Sequence, residues 1–196
     1  MISSILLGAG ISQRMGKPKP LLDWGGEPLI AYQVRQLREA GLDEVIVVLG
    51  FHGDEIHRQI RNLDCRVMFN ARYPAGRSGS LRIGAKAVNR DTDAIVVLNV
   101  DQPRPASFTR SLIDAHQPSS VATRPLADGR HGHPVIISGR LREELMAATE
   151  EEHGLQGILR RHASELADYP ADAICHLDVN TPEEYRAALE RFEFAR

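Results

Sequence analysis

The chain has 196 residues, 42% of them hydrophobic, which is enough apolar material for one full core and points to one domain over residues 1–196. A formal net charge of -2 excludes a general nucleic-acid-binding face, so a basic cluster in this chain is local and its partner is small. Only two cysteines occur, Cys65 and Cys175, without zinc-site or disulfide-framework spacing; no run is apolar for long enough to span a bilayer and no basic lead precedes the first apolar stretch, so a reducing, cytoplasmic setting is expected.

In chain order, short β-rich runs alternate with amphipathic stretches, which predicts an α/β fold with a largely parallel open sheet and helices on both faces. The strand "SSILL" runs into the loop "GAGISQRMGKPK". A helix over Pro28 to Ala40, the strand "EVIVVLG", a helix over Asp54 to Asn62 and the strand "CRVMF" follow. After the loop "NARYPAGRSGSLRIG", which overlaps a helix over Ser80 to Val88, come the strand "AIVVLNV" and a helix over Ala106 to Ala115. The strands "SSVAT" and "HPVIIS" are separated by a turn at Asp128-Gly129, which suggests an antiparallel edge strand and a substrate-facing loop. The last segments are a helix over Leu141 to Thr149, a strand "AICHLDV", and a helix with the clearest start signal: Thr181 as cap, Pro182 in the first turn and Glu184 completing a capping box.

The loop after the first strand fits neither common phosphate fingerprint. The dinucleotide fingerprint needs a third glycine where Gln13 stands. The P-loop needs four residues between its glycine and Gly-Lys, whereas five separate Gly10 from Gly16, and Pro18 follows Lys17 where Ser or Thr is required. What remains is a loop with Gly8, Gly10 and Gly16 for close backbone approach and Arg14, Lys17 and Lys19 for negative charge, which suits a polyphosphate lying along it. In open α/β sheets, ligands gather beyond the carboxyl ends of the strands. The residues placed there are the basic loop, Asp101 after "AIVVLNV", Asp178 near the end of "AICHLDV", and Ser78, Gly79 and Ser80 at a helix start. A basic loop facing two strand-end carboxylates points to a nucleoside triphosphate held by lysine, arginine and magnesium.

The segments "LGAGISQRMGKPK", "GRSGSLRIG", "DQP", "GHPV" and "DVNTPEEY" together resemble the molybdenum cofactor nucleotidyltransferases, and within them the molybdopterin cytidylyltransferase branch, over most of the chain. The resemblance implies a Rossmann-like nucleotidyltransferase fold and attack by the terminal phosphate of molybdopterin on the α-phosphorus of CTP, with release of pyrophosphate. Transfer of this kind rests on positioning and charge neutralisation rather than on a protein nucleophile. On that resemblance, Lys19 would neutralise the α-phosphate and Arg14 the leaving pyrophosphate, and Asp101 would hold Mg2+ with Asp178 as second carboxylate. Gly8, Ala9, Gly10 and Gly16 would line the nucleotide, Gly79 and Ser80 would read the base, and His133 would face the acceptor. A client molybdenum hydroxylase is the implied protein partner. The stretch "HGLQGILRRH" departs from the family pattern, and leaves open a non-catalytic nucleotide- or pterin-binding accessory protein or transfer to another phosphorylated acceptor.

Overall fold

Strands such as "EVIVVL" and "AIVVLN" are apolar at nearly every position, which only a sheet covered on both faces can accommodate. The structure, a computed structural model, describes residues 1–12 and 15–192. Its elements run β1 (Ile2–Gly8), α1 (Leu29–Glu39), β2 (Glu44–Leu49), α2 (Gly53–Ile60), β3 (Arg66–Phe69), α3 (Arg77–Ala87), β4 (Ala94–Asn99) and α4 (Ala106–Ala115). They continue through β5 (Ala122–Ala127), β6 (Arg130–His131), β7 (Val135–Ser138), α5 (Arg142–Ala147), α6 (Gly154–Arg161), β8 (Leu166–Pro170) and α7 (Pro182–Arg191). Among the described residues one sheet has the order β3-β2-β1-β4-β7-β5-β6, with β8 also paired to β5. β1 to β4 are parallel, β7 runs antiparallel between β4 and β5, and β8 is parallel to β5.

Alternate residues of each strand go to opposite faces. Ile5, Ile46, Val48, Ile95, Val97 and Ile137 pack with Leu81 and Ala85 of α3, Leu145 of α5 and Ile158 of α6. Leu6, Val47, Leu49, Val96, Leu98 and Ile136 face Leu29, Val34 and Leu37 of α1, Ile56 and Ile60 of α2, Leu112 of α4 and Ala188 of α7. Register sets Gly8 beside Leu49 and Leu7 beside Asn99, so β1, β2 and β4 end on one rim. Among the described residues no helix is long and apolar enough to cross a membrane.

The sheet, its two helical layers and the five central helices follow the sequence reading closely. The Asp128-Gly129 turn joins β5 to β6, both residues having positive φ (49° and 72°), as a tight hairpin requires. The strand after the turn, β6, is the expected antiparallel edge strand, pairing only with β5, whereas β7 beyond it runs antiparallel inside the sheet between β4 and β5. The larger correction concerns "AICHLDV", which is not a strand: Ala173–His176 form a 3-10 turn, capped by the Asp172 carboxylate accepting from the Ile174 amide at 2.9 Å. Its backbone carbonyls serve a buried arginine described below rather than a ladder. The strand nearest in sequence is β8, "LADYP", whose terminal Pro170 can be accommodated where the strand ends.

α3 lies directly on β1 because Gly84 has no side chain: a Cβ there would overlap Ile5 Cγ2 and sit 3.3 Å from Val48 Cγ2. We expect Gly84→Ala to lower stability by about 1–2 kcal/mol, overpacking outweighing the gain in helix propensity. Urea denaturation checks it, and a stabilised variant would show that the α3 contact yields freely.

Candidate functional site

At the shared rim a cleft of ≈ 510 Å³ is walled on one side by the β1 loop (Gly8, Ala9, Gly10, Ile11 and Ser12), on another by Tyr73, Pro74, Gly76, Arg77 and Ser80, and floored by Asn99, Val100 and Asp101. Gly8 is a packing glycine, since a Cβ would press on Leu49 Cδ2 at 3.3 Å and Ile30 Cδ1 at 3.6 Å. Gly10 is different: a Cβ there would meet nothing within 4 Å, so its backbone is bare towards the cleft. Gly16 has φ +69° and does not line the cleft. Arg14, expected at the phosphates, lies outside the described residues.

The loop is tied back on itself, because the Ser12 hydroxyl accepts from the Lys19 amide at 3.0 Å. A 3-10 turn over Lys19–Leu21, opened by Pro18 with extended backbone, then aims the Lys19 side chain into the rim. Its ammonium donates to Asp101 Oδ2 at 2.6 Å and to Asn180 Oδ1 at 2.7 Å. The two charged side chains are 13% and 23% exposed, so solvent screens this pair less than a surface ion pair. Asn180 was not singled out in the sequence, yet a strong local signal places it. The capping box of α7 is formed, Thr181 Oγ1 accepting from Glu184 N at 3.2 Å, and the Glu184 carboxylate takes the amides of both Thr181 (3.1 Å) and Asn180 (2.8 Å). The Val179 amide donates to the Asp101 carbonyl at 2.8 Å, which clips this segment to the end of β4.

Beneath that clip lies Arg104, 1% exposed, which the sequence reading also missed although it stands between two prolines in "QPRP". Its guanidinium donates to four carbonyls: His133 at 2.9 Å, Pro103 and Leu177 at 2.8 Å each, and Cys175 at 2.7 Å. Burial pulls its pKa down to about 10, against the attraction of Asp178. His133 stands on the adjacent loop with its Nδ1 3.0 Å from Gln102 Nε2, an amide that can only donate, so Nδ1 accepts and the ring proton is assigned to Nε2. Burial pushes the His133 pKa below its ordinary value and favours the neutral ring. Neither His133 nor Asp178 lines the cleft, and Asp178 is exposed. Among the described residues no group of three or more His, Cys, Asp or Glu side chains is placed to hold a metal.

On the opposite wall, the Ser80 hydroxyl accepts from Asn70 Nδ2 at 2.9 Å and lines the cleft, whereas Gly79 beside it does not. The Ser78 amide, at the helix start placed on the rim by the sequence, is taken by the Glu150 carboxylate. Arg77 adds a second cation to the cleft wall.

A family model described as the MobA-like NTP transferase domain matches residues 4–166. Nicotine blue oxidoreductase of Paenarthrobacter nicotinovorans is 26% identical over 82% of each chain, and molybdenum cofactor cytidylyltransferase of Escherichia coli K12 is 24% identical over 97% of each. The crystal structure of Rv0371c from Mycobacterium tuberculosis H37Rv superposes with a TM-score of 0.84 at 26% identity, covering 96% of this chain and 97% of that one. A second structure of that protein, a complex with manganese, gives a TM-score of 0.79 at 26% identity over 97% and 99% of the two chains.

Removing the Arg104 fork strands several buried carbonyls at once. We expect Arg104→Met to cost on the order of 3 kcal/mol, and Arg104→Lys not to restore it, because an ammonium cannot span the same acceptors. Denaturant midpoints of both variants near the wild-type value would refute this account.

Proposed function

The chain belongs to the family of MobA-like NTP transferase domains, and from that premise we propose that it transfers CMP from CTP to the phosphate of molybdopterin with release of pyrophosphate. The observation that carries the proposal is the Lys19 ammonium bridging Asp101 and Asn180 beside a bare glycine loop, where a triphosphate would lie. Whole-length similarity to a molybdenum cofactor cytidylyltransferase supports both the nucleotide and the acceptor. The relative named as an oxidoreductase does not bring hydride transfer with it, since Gln13 replaces the glycine that a dinucleotide pyrophosphate needs.

The donor set suits Mg2+. Lys19 engages only Oδ2 of Asp101, and Asn180 adds an amide oxygen; hard oxygens of this kind, with phosphate oxygens and waters, satisfy magnesium and are too few for a structural zinc site. The manganese complex of the mycobacterial neighbour supports a divalent ion. Bound there, the ion would supply charge neutralisation at the triphosphate. Asp101 is therefore the assigned carboxylate, with Asn180 beside it, while Asp178 is assigned to balancing Arg104.

Lys19 meets the charge that grows at the α-phosphate, and Asn180 fixes the direction of its ammonium. Gly10 lets the phosphates approach the backbone, Arg14 is assigned to the leaving pyrophosphate, and Ser80, which lines the cleft where Gly79 does not, to the base. Arg77 is the cation available to a second phosphate entering from the opposite wall. His133, held neutral and tied to Gln102, shapes the acceptor side without lending it charge.

The decisive assay supplies Mg2+ and each triphosphate, with and without molybdopterin, and measures pyrophosphate. Release is expected with CTP and molybdopterin, at least about tenfold faster than with GTP, because a purine leaves matched polar groups of the base site unpaired. Equal rates would overturn the CTP assignment, and binding without release would favour the accessory-protein reading. Lys19→Ala should lower kcat by about a hundredfold with little change in CTP affinity, and Asp101→Asn should abolish the magnesium-dependent rate. Normal turnover by either variant removes that residue from the mechanism.

A further inference from the structure

Helix α3 begins without a cap of its own. Its N-cap residue is Gly76, which has no side chain to satisfy the orphan amides of the first turn. The cap arrives from 72 residues downstream: Glu150, in the loop between α5 and α6, accepts from the Ser78 amide. Gly76 adopts φ +113°, and a Cβ there would overlap the Glu150 carboxylate, so glycine provides both the backbone conformation and the room. The same loop is locked from its other end. Gly154 has φ +54°, a Cβ on it would approach Ser78 Oγ to 2.7 Å, and its amide donates to Thr149 at 2.8 Å.

Gly76, Arg77 and Ser80, the residues around the capped amide, all line the cleft, while the carboxylate that orders them stands behind that wall. A half-buried helix start left uncapped frays, because its first amides have no partner. Fraying here would move Ser80 and the backbone of Gly76, but not Lys19 or Asp101, which hang from β1 and β4.

We infer that Glu150 is a positioning residue for nucleotide selection: by capping α3 from outside, it holds the base-reading wall of the cleft in register with the phosphate loop. This rests on the proposed nucleotide site and adds to it a residue that touches no substrate. It also gives a task to the segment "HGLQGILRRH", which contains α6. That helix carries the loop holding Glu150, with Ile158 anchored in the core.

Calorimetric titration separates the possibilities, using CTP and inorganic tripolyphosphate, each with Mg2+, against wild type, Glu150→Ala, Glu150→Asp and Glu150→Gln. Wild type binds both ligands. Glu150→Ala should weaken CTP about tenfold, the loss expected for removing one charge-assisted hydrogen bond, and leave tripolyphosphate unchanged. Glu150→Gln keeps an acceptor oxygen at the same reach and should restore CTP binding to within about threefold, a neutral bond being roughly half as strong. Glu150→Asp, which withdraws the oxygen by one methylene, should resemble Glu150→Ala and serves in its place if the alanine variant does not fold. Unchanged CTP affinity in Glu150→Asp or Glu150→Ala overturns the inference, as does an equal loss for both ligands, which would mark a general structural role. A wild-type protein that binds tripolyphosphate but neither CTP nor GTP overturns instead the nucleotide reading on which the inference stands.

Discussion

The buried guanidinium of Arg104 is surrounded by carbonyl oxygens, not by a contacting carboxylate. Five N–H donors in a rigid plane can address several backbone oxygens at once, which no other side chain does. Here they gather three separate stretches, the "DQP" turn after β4, the loop carrying His133, and the 3-10 turn with its extended tail through Leu177. Asp101 and Asn180 come together on Lys19 because their backbones are already fastened to that hub, with the Val179 amide on the Asp101 carbonyl as the last clip. Its charge is balanced at longer range by Asp178, Asp101 and Asp172, so the arginine serves as glue without consuming the carboxylate that the cleft presents.

The parts of this protein legible from sequence are those set by local chemistry. The continuous apolar runs of the central strands, the Thr181 capping box and the Asp128-Gly129 turn each depend on residues a few positions apart, and each is found where the pattern puts it. The final expected strand fails for the opposite reason. "AICHLDV" has strand-like composition, but the carbonyls of Cys175 and Leu177 bond to an arginine more than 70 residues away, and that competition cannot be read from the segment itself. β8 was hidden because Pro170 reads as a breaker until the strand is known to end there.

The site shows the same division. Lys19 and Asp101 could be singled out because each follows a strand on the rim where parallel sheets collect ligands. Asn180 and Arg104 escaped because neither stands at a strand end, and polar residues beside prolines or caps normally have local explanations. Asn180 also lies beyond residues 4–166, the span that the family model matches. Ser78 stands at the helix start where the sequence places it, but helix-start amides attract an anion, and the chain supplies one itself in Glu150.

The Arg104 hub also orders events in time. Two of its acceptors, Cys175 and Leu177, lie 71 and 73 residues after it in the chain. A ribosome adding about 5–20 residues per second delivers them roughly 4 to 15 seconds after Arg104 itself. During that interval the residues of β1 to β4 and of the β1 loop have already been made, but Lys19 has no Asn180 to direct it and half of the guanidinium's partners are missing. The parallel half of the sheet is therefore made before its cleft is complete, and a growing chain carries an incomplete cleft until its last described helix begins.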